Sequence, residues 1–253
     1  MSDAFARAFA FMRRADIAGT REEPHPLGVA VFDDEHRLRW DSNYLLVERD
    51  PGSADALAAE LDLLQGGAGL AHRKAVVPDE RVGDRLAPSF EAMGWEVGRT
   101  LVMVHGGQTP PVAGADEVRE VSPAALRPAR TRAILGYPWG TEEVARALLD
   151  SKDRIAARMR LRCYARLAGE EPVSWADLYS DGDEAQVEDV ATEPAHRGRG
   201  LASSVVVRAV QVARSEGASF VFLAADDADW PKELYARLGF VGVGRYVHVT
   251  RAG

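Results

Sequence analysis

The sequence predicts an α/β chain built as a tandem of two related folds. Three observations carry this. Short segments of strand and helix character alternate along all 253 residues. One stretch, Val187 to Ser215, reads as strand, glycine turn and helix in succession. The pattern Phe90, Gly94-Trp95, Gly98-Arg99 also recurs as Tyr235, Gly239-Phe240, Gly244-Arg245, with one residue more before the last pair.

Taken in order, residues 3 to 17 place Phe5, Phe9, Met12 and Ile17 loosely on one helical face. Arg21 to Pro26 breaks that helix. Leu27 to Phe32 and Asn43 to Val47 read as strands around the turn Asp33-Asp34-Glu35-His36. Asp50-Pro51-Gly52-Ser53 caps a helix from Ala54 to Leu64, and the glycines at 66, 67 and 69 form a connector to a strand from Leu70 to Val77. A helix from Asp79 to Met93 and a strand from Glu96 to His105 complete the first half. Gly106 to Gly114 is a linker by composition.

The second half opens with a strand from Val118 to Val121 and a helix from Pro123 to Leu135, N-capped by Ser122. Gly136-Tyr137-Pro138-Trp139-Gly140 interrupts it, and a second helix starts at Thr141 and runs to Leu149. Strands from Met159 to Ala168 and from Pro172 to Tyr179 meet at a hairpin signal, Gly169-Glu170-Glu171. The strand ending at Thr192 follows, then a helix with Val205, Val206, Ala209, Val210 and Ala213 on its inner face. Ser219 to Ala224 and a final run through Val249 are strands.

Composition bounds the function. With 46% hydrophobic and 28% charged residues the chain is ordinary globular material. A net charge of −8 with arginines scattered through helices argues against nucleic acid as a partner. A single cysteine, Cys163, excludes an internal disulfide, and its alternating strand context reads as a small buried hydrophobe. No histidine stands at a metal-ligand spacing, so no metal is expected. The opening residues carry acid and arginine with no apolar core, and no stretch approaches about 18 apolar residues. The expectation is a cytoplasmic protein with no membrane partner.

The chemistry concentrates in Arg197-Gly198-Arg199-Gly200-Leu201-Ala202. Two glycines let backbone N–H groups approach an anion, the following helix adds its N-terminal partial charge, and two arginines add full ones. The ligand class is a polyphosphate or pyrophosphate. A P-loop would need Gly-Lys-Ser/Thr, but Leu201 follows Gly200. A dinucleotide fingerprint begun at Gly198 ends on Ser203, displacing the required small residue by one. The pattern R/Q-x-x-G-x-G/A fits at every fixed position and resembles the acetyl-CoA pyrophosphate loop of the GNAT acetyltransferase superfamily. Downstream, Leu234-Tyr235-Ala236-Arg237-Leu238-Gly239-Phe240 resembles that family's LYxxLGF signature. The resemblance covers Val118 to Arg251.

It implies two tandem GNAT-like domains, each an α/β (α+β) unit with a mixed, mainly antiparallel sheet flanked by helices. Residues 1 to 110 are then a degenerate copy, because their helix entry at Asp50 is acidic, and residues 115 to 253 the acetyltransferase domain. The implied reaction is acetyl transfer from acetyl-CoA to the amine of a small molecule or peptide, and a homodimer is an allowed assembly. By resemblance Val190, Ala191 and Thr192 pair with the pantetheine arm, and Arg197, Gly198, Arg199, Gly200, Leu201 and Ala202 hold the pyrophosphate. Tyr235 matches the general acid beside the thioester sulfur. Glu188 is the candidate base, with Asp189, Asp226, Asp227 and a water chain as alternatives; strand alternation puts Glu188 and Asp189 on opposite faces. Tyr137 and Trp139 either line the acceptor pocket or pack in a helix hairpin. A catalytically silent acyl-CoA-binding module and a dinucleotide oxidoreductase are the competing readings.

Overall fold

The computed structural model describes residues 2 to 252. Among these residues eleven strands and seven α-helices follow one another in two compact units, and the strand pairing is mixed and mainly antiparallel.

The first unit comprises Met1–Val102, Ala225–Lys232 and Val243–Gly253. It starts with α1 (Asp3–Asp16), whose Ser2 cap accepts from the Phe5 N–H, burying Phe5, Ala8, Phe11 and Met12. Next come β1 (Arg21–His25), β2 (Gly28–Phe32), β3 (Tyr44–Val47), α2 (Ala54–Leu61), β4 (His72–Val77), α3 (Glu80–Ala92) and β5 (Glu96–His105). Arg21 to Pro26 is not a simple break: Arg21–His25 pairs antiparallel with β2, and Pro24 is tolerated because this strand lies at the sheet edge. β3 alternates sides, sending Leu45 and Val47 toward α2 and α3, and Tyr44 and Leu46 toward Phe9 and Ile17 near α1. Leu57, Leu61, Leu86 and Phe90 are each at most 3% exposed, and burying each such side chain stabilises the fold by about 1.5–3 kcal/mol.

The second unit comprises Met103–Ala224 and Glu233–Gly242. Its elements are β6 (Arg119–Val121), α4 (Pro123–Leu135), α5 (Glu142–Ala156), β7 (Arg160–Ala168), β8 (Glu171–Asp181), β9 (Glu184–Thr192), α6 (Leu201–Ser215), β10 (Phe220–Asp226) and α7 (Pro231–Arg237). The strand order is β10-β9-β8-β7-β6, parallel between β10 and β9 and antiparallel elsewhere. α5 runs seven residues past Leu149, with Ser151 and Ile155 buried. α6 buries Val205, Val206, Ala209, Val210 and Ala213, the face expected from its periodicity.

The last strand, β11 (Phe240–Ala252), antiparallel to β4, places Val247 and Val249 in the core of the first unit. The expected boundary at residues 110 to 115 therefore separates the sequence halves, while the compact units divide within β5, β10, α7 and β11. The repeat seen in the sequence is also a repeat of geometry. In each copy a helix ends on a glycine with positive φ, Gly94 at 77° and Gly239 at 93°. Glycine adopts this turn without steric cost. The flanking aromatics then meet edge to face: Phe90 with Trp95 at 5.1 Å, Tyr235 with Phe240 at 6.3 Å.

Candidate functional site

β9 is the strand that builds the site. It pairs with β10 only through Glu184, Ala185 and Gln186, yet continues along β8 to Thr192. Past Gln186 the edge turned toward β10 therefore has no parallel neighbour in register. An extended ligand arm can hydrogen-bond to such an edge as an added strand would. Val190, Ala191 and Thr192 lie on this edge, half-buried.

β9 is also bulged. Trp175 faces Ala191 and Asp177 faces Glu188, so Asp189 and Val190 together oppose Ala176. Asp189 takes φ 52°, the sole positive φ among described non-glycine residues. The bulge overturns the expectation that Glu188 and Asp189 face opposite sides. Glu188 stands directly across from Asp177, and residues so paired share a face. Asp189 reaches the same cations that Asp177 does, Arg130 from α4 and Lys152 from α5. Both carboxylates thus point to the α4–α5 side.

Their states differ. Asp177 is fully buried; burial opposes its charge, but Lys152 and Arg130 outweigh burial and hold it below the usual carboxylate range. Glu188 accepts a hydrogen bond from Gln186. Burial pushes its carboxyl up to about 7, with Lys152 pulling down and Asp189 pushing up. A carboxylate near neutrality can take a proton at physiological pH.

Beyond Thr192 the chain makes one turn of 3-10 helix, Pro194–His196, and enters α6 through Gly198 and Gly200, both at φ 75°. A Cβ at either glycine would meet nothing within 4 Å, so the backbone fronts open space. Gly200 is the N-cap of α6 and no side chain caps the first N–H groups. Arg197 donates to the Thr192 carbonyl at 3.1 Å and Arg199 to that of Ala195 at 3.2 Å, which holds both exposed guanidiniums over the loop. Donors, dipole and cations converge on one exposed spot, and an anion is what fits there. The corresponding helix of the first unit, α2, offers no such place. Ser53 caps the Ala56 N–H at 3.1 Å, Asp50 accepts from Gly52, and Asp55 lies in the first turn.

Against known families, the acetyltransferase (GNAT) family matches residues 125 to 240, a span that holds most of α4 and all of β9, the glycine loop, α6 and Tyr235. Residues 125 to 240 are a GNAT acetyltransferase domain. No curated protein matches the chain. Among solved structures, a conserved protein of unknown function from Staphylococcus epidermidis superposes with a TM-score of 0.73 at 16% identity, covering 94% of this chain and 95% of that one. A GCN5-related N-acetyltransferase from Kribbella flavida gives 0.64 at 19% identity over 100% and 97%. A tandem GNAT protein from the clavulanic acid biosynthesis pathway gives 0.50 at 16% identity over 79% and 68%. At these identities the likeness is one of fold, and that fold is a tandem one.

The remaining candidates divide clearly. Tyr235 lies in α7, 7% exposed. Asp227 is committed to ion pairs with Lys232 at 3.0 Å and Arg245 at 2.9 Å, and Asp226 accepts from the Ala228 N–H in a turn. Both acids are thus engaged by neighbouring groups of the same unit. Tyr137 and Trp139 do not pack in a helix hairpin: their rings stack on each other at 4.8 Å and each is 55% exposed. Cys163 is buried in the GNAT domain, and burial pushes its thiol up to about 12, so it stays a neutral core group.

Sequence reasoning missed Arg130, Lys152 and Asp177. One signal was present: Asp177 shares the buried face of β8 with Trp175 and Tyr179, and an acid there needs a partner.

Proposed function

We propose that the chain is an acetyl-CoA-dependent N-acyltransferase that acetylates the amine of a small molecule or peptide. The observation that carries the reading is the uncapped entry of α6 behind Gly198 and Gly200, at the end of a strand whose edge has come free of β10. In this reading Arg197, Gly198, Arg199, Gly200, Leu201 and Ala202 hold the pyrophosphate, and backbone groups of Val190, Ala191 and Thr192 hold the pantetheine arm.

Glu188 receives the proton that an ammonium acceptor must lose before its nitrogen can attack the thioester carbonyl. The amine then adds to that carbonyl, the carbon–sulfur bond breaks as the departing thiolate takes a proton from the Tyr235 hydroxyl, and the surplus proton on the acetylated nitrogen passes to the tyrosinate, which restores it. A silent acyl-CoA-binding module would keep the loop but have no use for a glutamate poised near 7.

The test is an acceptor screen with acetyl-CoA that follows release of free thiol across primary and secondary amines, polyamines and peptide N-termini. Amine-dependent thiol release that is lost in Glu188→Gln supports the reading. Acetyl-CoA binding with no thiol release for any acceptor would favour the silent module.

A further inference from the structure

Behind the β9 bulge lies a closed ring of charges from four elements. Arg130 of α4 and Asp177 of β8, 3% and 0% exposed, are paired directly. Lys152 of α5 bridges Asp177 at 2.7 Å and Asp189 at 3.3 Å, and also donates to the Tyr179 hydroxyl at 3.3 Å. Arg130 closes the ring, its Nε 2.8 Å from Asp189 Oδ2. That last contact is a charge pairing and not an aligned hydrogen bond, since neither atom has a hydrogen-bond partner. Lys152 stays firmly protonated: burial works against its charge, but Asp189, Tyr179 and Asp177 outweigh burial.

The ring ends on the one described non-glycine residue held at positive φ. An L-residue reaches that conformation at a cost, and keeps it only where its surroundings over-determine it. Asp189 has no helix or turn around it to do so, and what grips its side chain is Arg130 and Lys152. Asp177 is the counter-ion that keeps both cations in place. With Asp189 fixed, Val190 is carried out of register with Ala176, and the strand edge at 190 to 192 takes its direction from there.

We propose that Arg130 and Lys152 are positioning residues: by gripping the Asp189 carboxylate they hold residue 189 left-handed, keep the β9 bulge in place and aim the edge that receives the acyl donor. The consequence for donor affinity rests on the acetyl-CoA reading; the consequence for the backbone does not.

The experiment measures two quantities on Asp189→Asn, Asp189→Ala, Lys152→Met and Lys152→Arg in the full chain. Backbone carbon shifts of residue 189 and the Val190 amide in the free protein report φ, and calorimetry reports acetyl-CoA affinity. Left-handed backbone costs alanine more than asparagine. Asp189→Ala should therefore lose the left-handed shifts and about tenfold in affinity, and Asp189→Asn only about threefold. Lys152→Met should shift residue 189 in the same direction, with Lys152→Arg restoring it. An ordinary structural ion pair would leave the 189 shifts unmoved in Lys152→Met, with affinity following thermal stability. Equal behaviour of Asn and Ala, or unmoved 189 shifts in Lys152→Met, overturns the proposal. Should Lys152→Met fail to fold, Lys152→Gln takes its place, and unmoved 189 shifts in that variant overturn the proposal. Wild type without acetyl-CoA affinity would sink the functional reading, and the shifts would still judge the ring.

Discussion

Replacing Glu188 with glutamine removes a charge while keeping an oxygen that can accept from Gln186. In the folded chain the Glu188 carboxyl is raised to about 7, against about 4.3 in an unfolded chain. The folded state therefore binds more protons than the unfolded state between these values, and stability falls as pH rises through that window. The full shift, at about 1.36 kcal/mol per unit, bounds the loss near 4 kcal/mol, and partial exposure reduces it to roughly 2 kcal/mol. Glutamine has no such titration. Urea denaturation of both proteins at pH 5 and pH 8.5 should show Glu188→Gln gaining on wild type by roughly 1.5 kcal/mol at the higher pH, part of the loss already lying below pH 5. Parallel stabilities at the two pH values would refute the raised pKa and with it the case for Glu188 as a base.

In the proposed role the same carboxyl must be ionised to take a proton, so kcat/KM should fall as pH is lowered through about 7, and a flat profile from pH 6 to 8 would exclude it. Tyr235→Phe keeps the ring against Phe240 and deletes the hydroxyl; turnover should drop by about 10²-fold with CoA affinity retained, whereas equal loss of both would make Tyr235 structural. Arg130→Met leaves Asp177 buried with Lys152 alone, which should cost about 3 kcal/mol, the low end for a broken buried pair. The melting temperature should then fall by roughly 6–12 °C; an unchanged value would mean that Lys152 suffices.

What was legible in the sequence is what local rules determine. The glycine loop, the periodic face of α6 and the paired glycine turns at Gly94 and Gly239 are each fixed within a few residues of chain, and each stands where the pattern put it. β1 was not legible, because Arg21 to His25 is an exposed edge held by backbone pairing to β2 and carries no apolar alternation. The faces of Glu188 and Asp189 were misread for a related reason: alternation presumes a regular ladder, and the bulge at Asp189 breaks it. Arg130 and Asp177 are 47 residues apart, and nothing near either names the other. The division of the chain depends on β11 adding to β4, a pairing made over some 170 residues.

The proposed function requires one anion cradle per chain, at the entry of α6. Calorimetric titration of acetyl-CoA into wild type and Gly200→Glu tests this most directly. The substitution puts a negative side chain where a Cβ now meets nothing, at a φ of 75° that glutamate tolerates poorly. The expected result is one site per chain in wild type and none in the folded variant. Two equivalent sites would mean that α2 of the first unit also holds the ligand, and binding undiminished in Gly200→Glu would contradict the assignment of the loop.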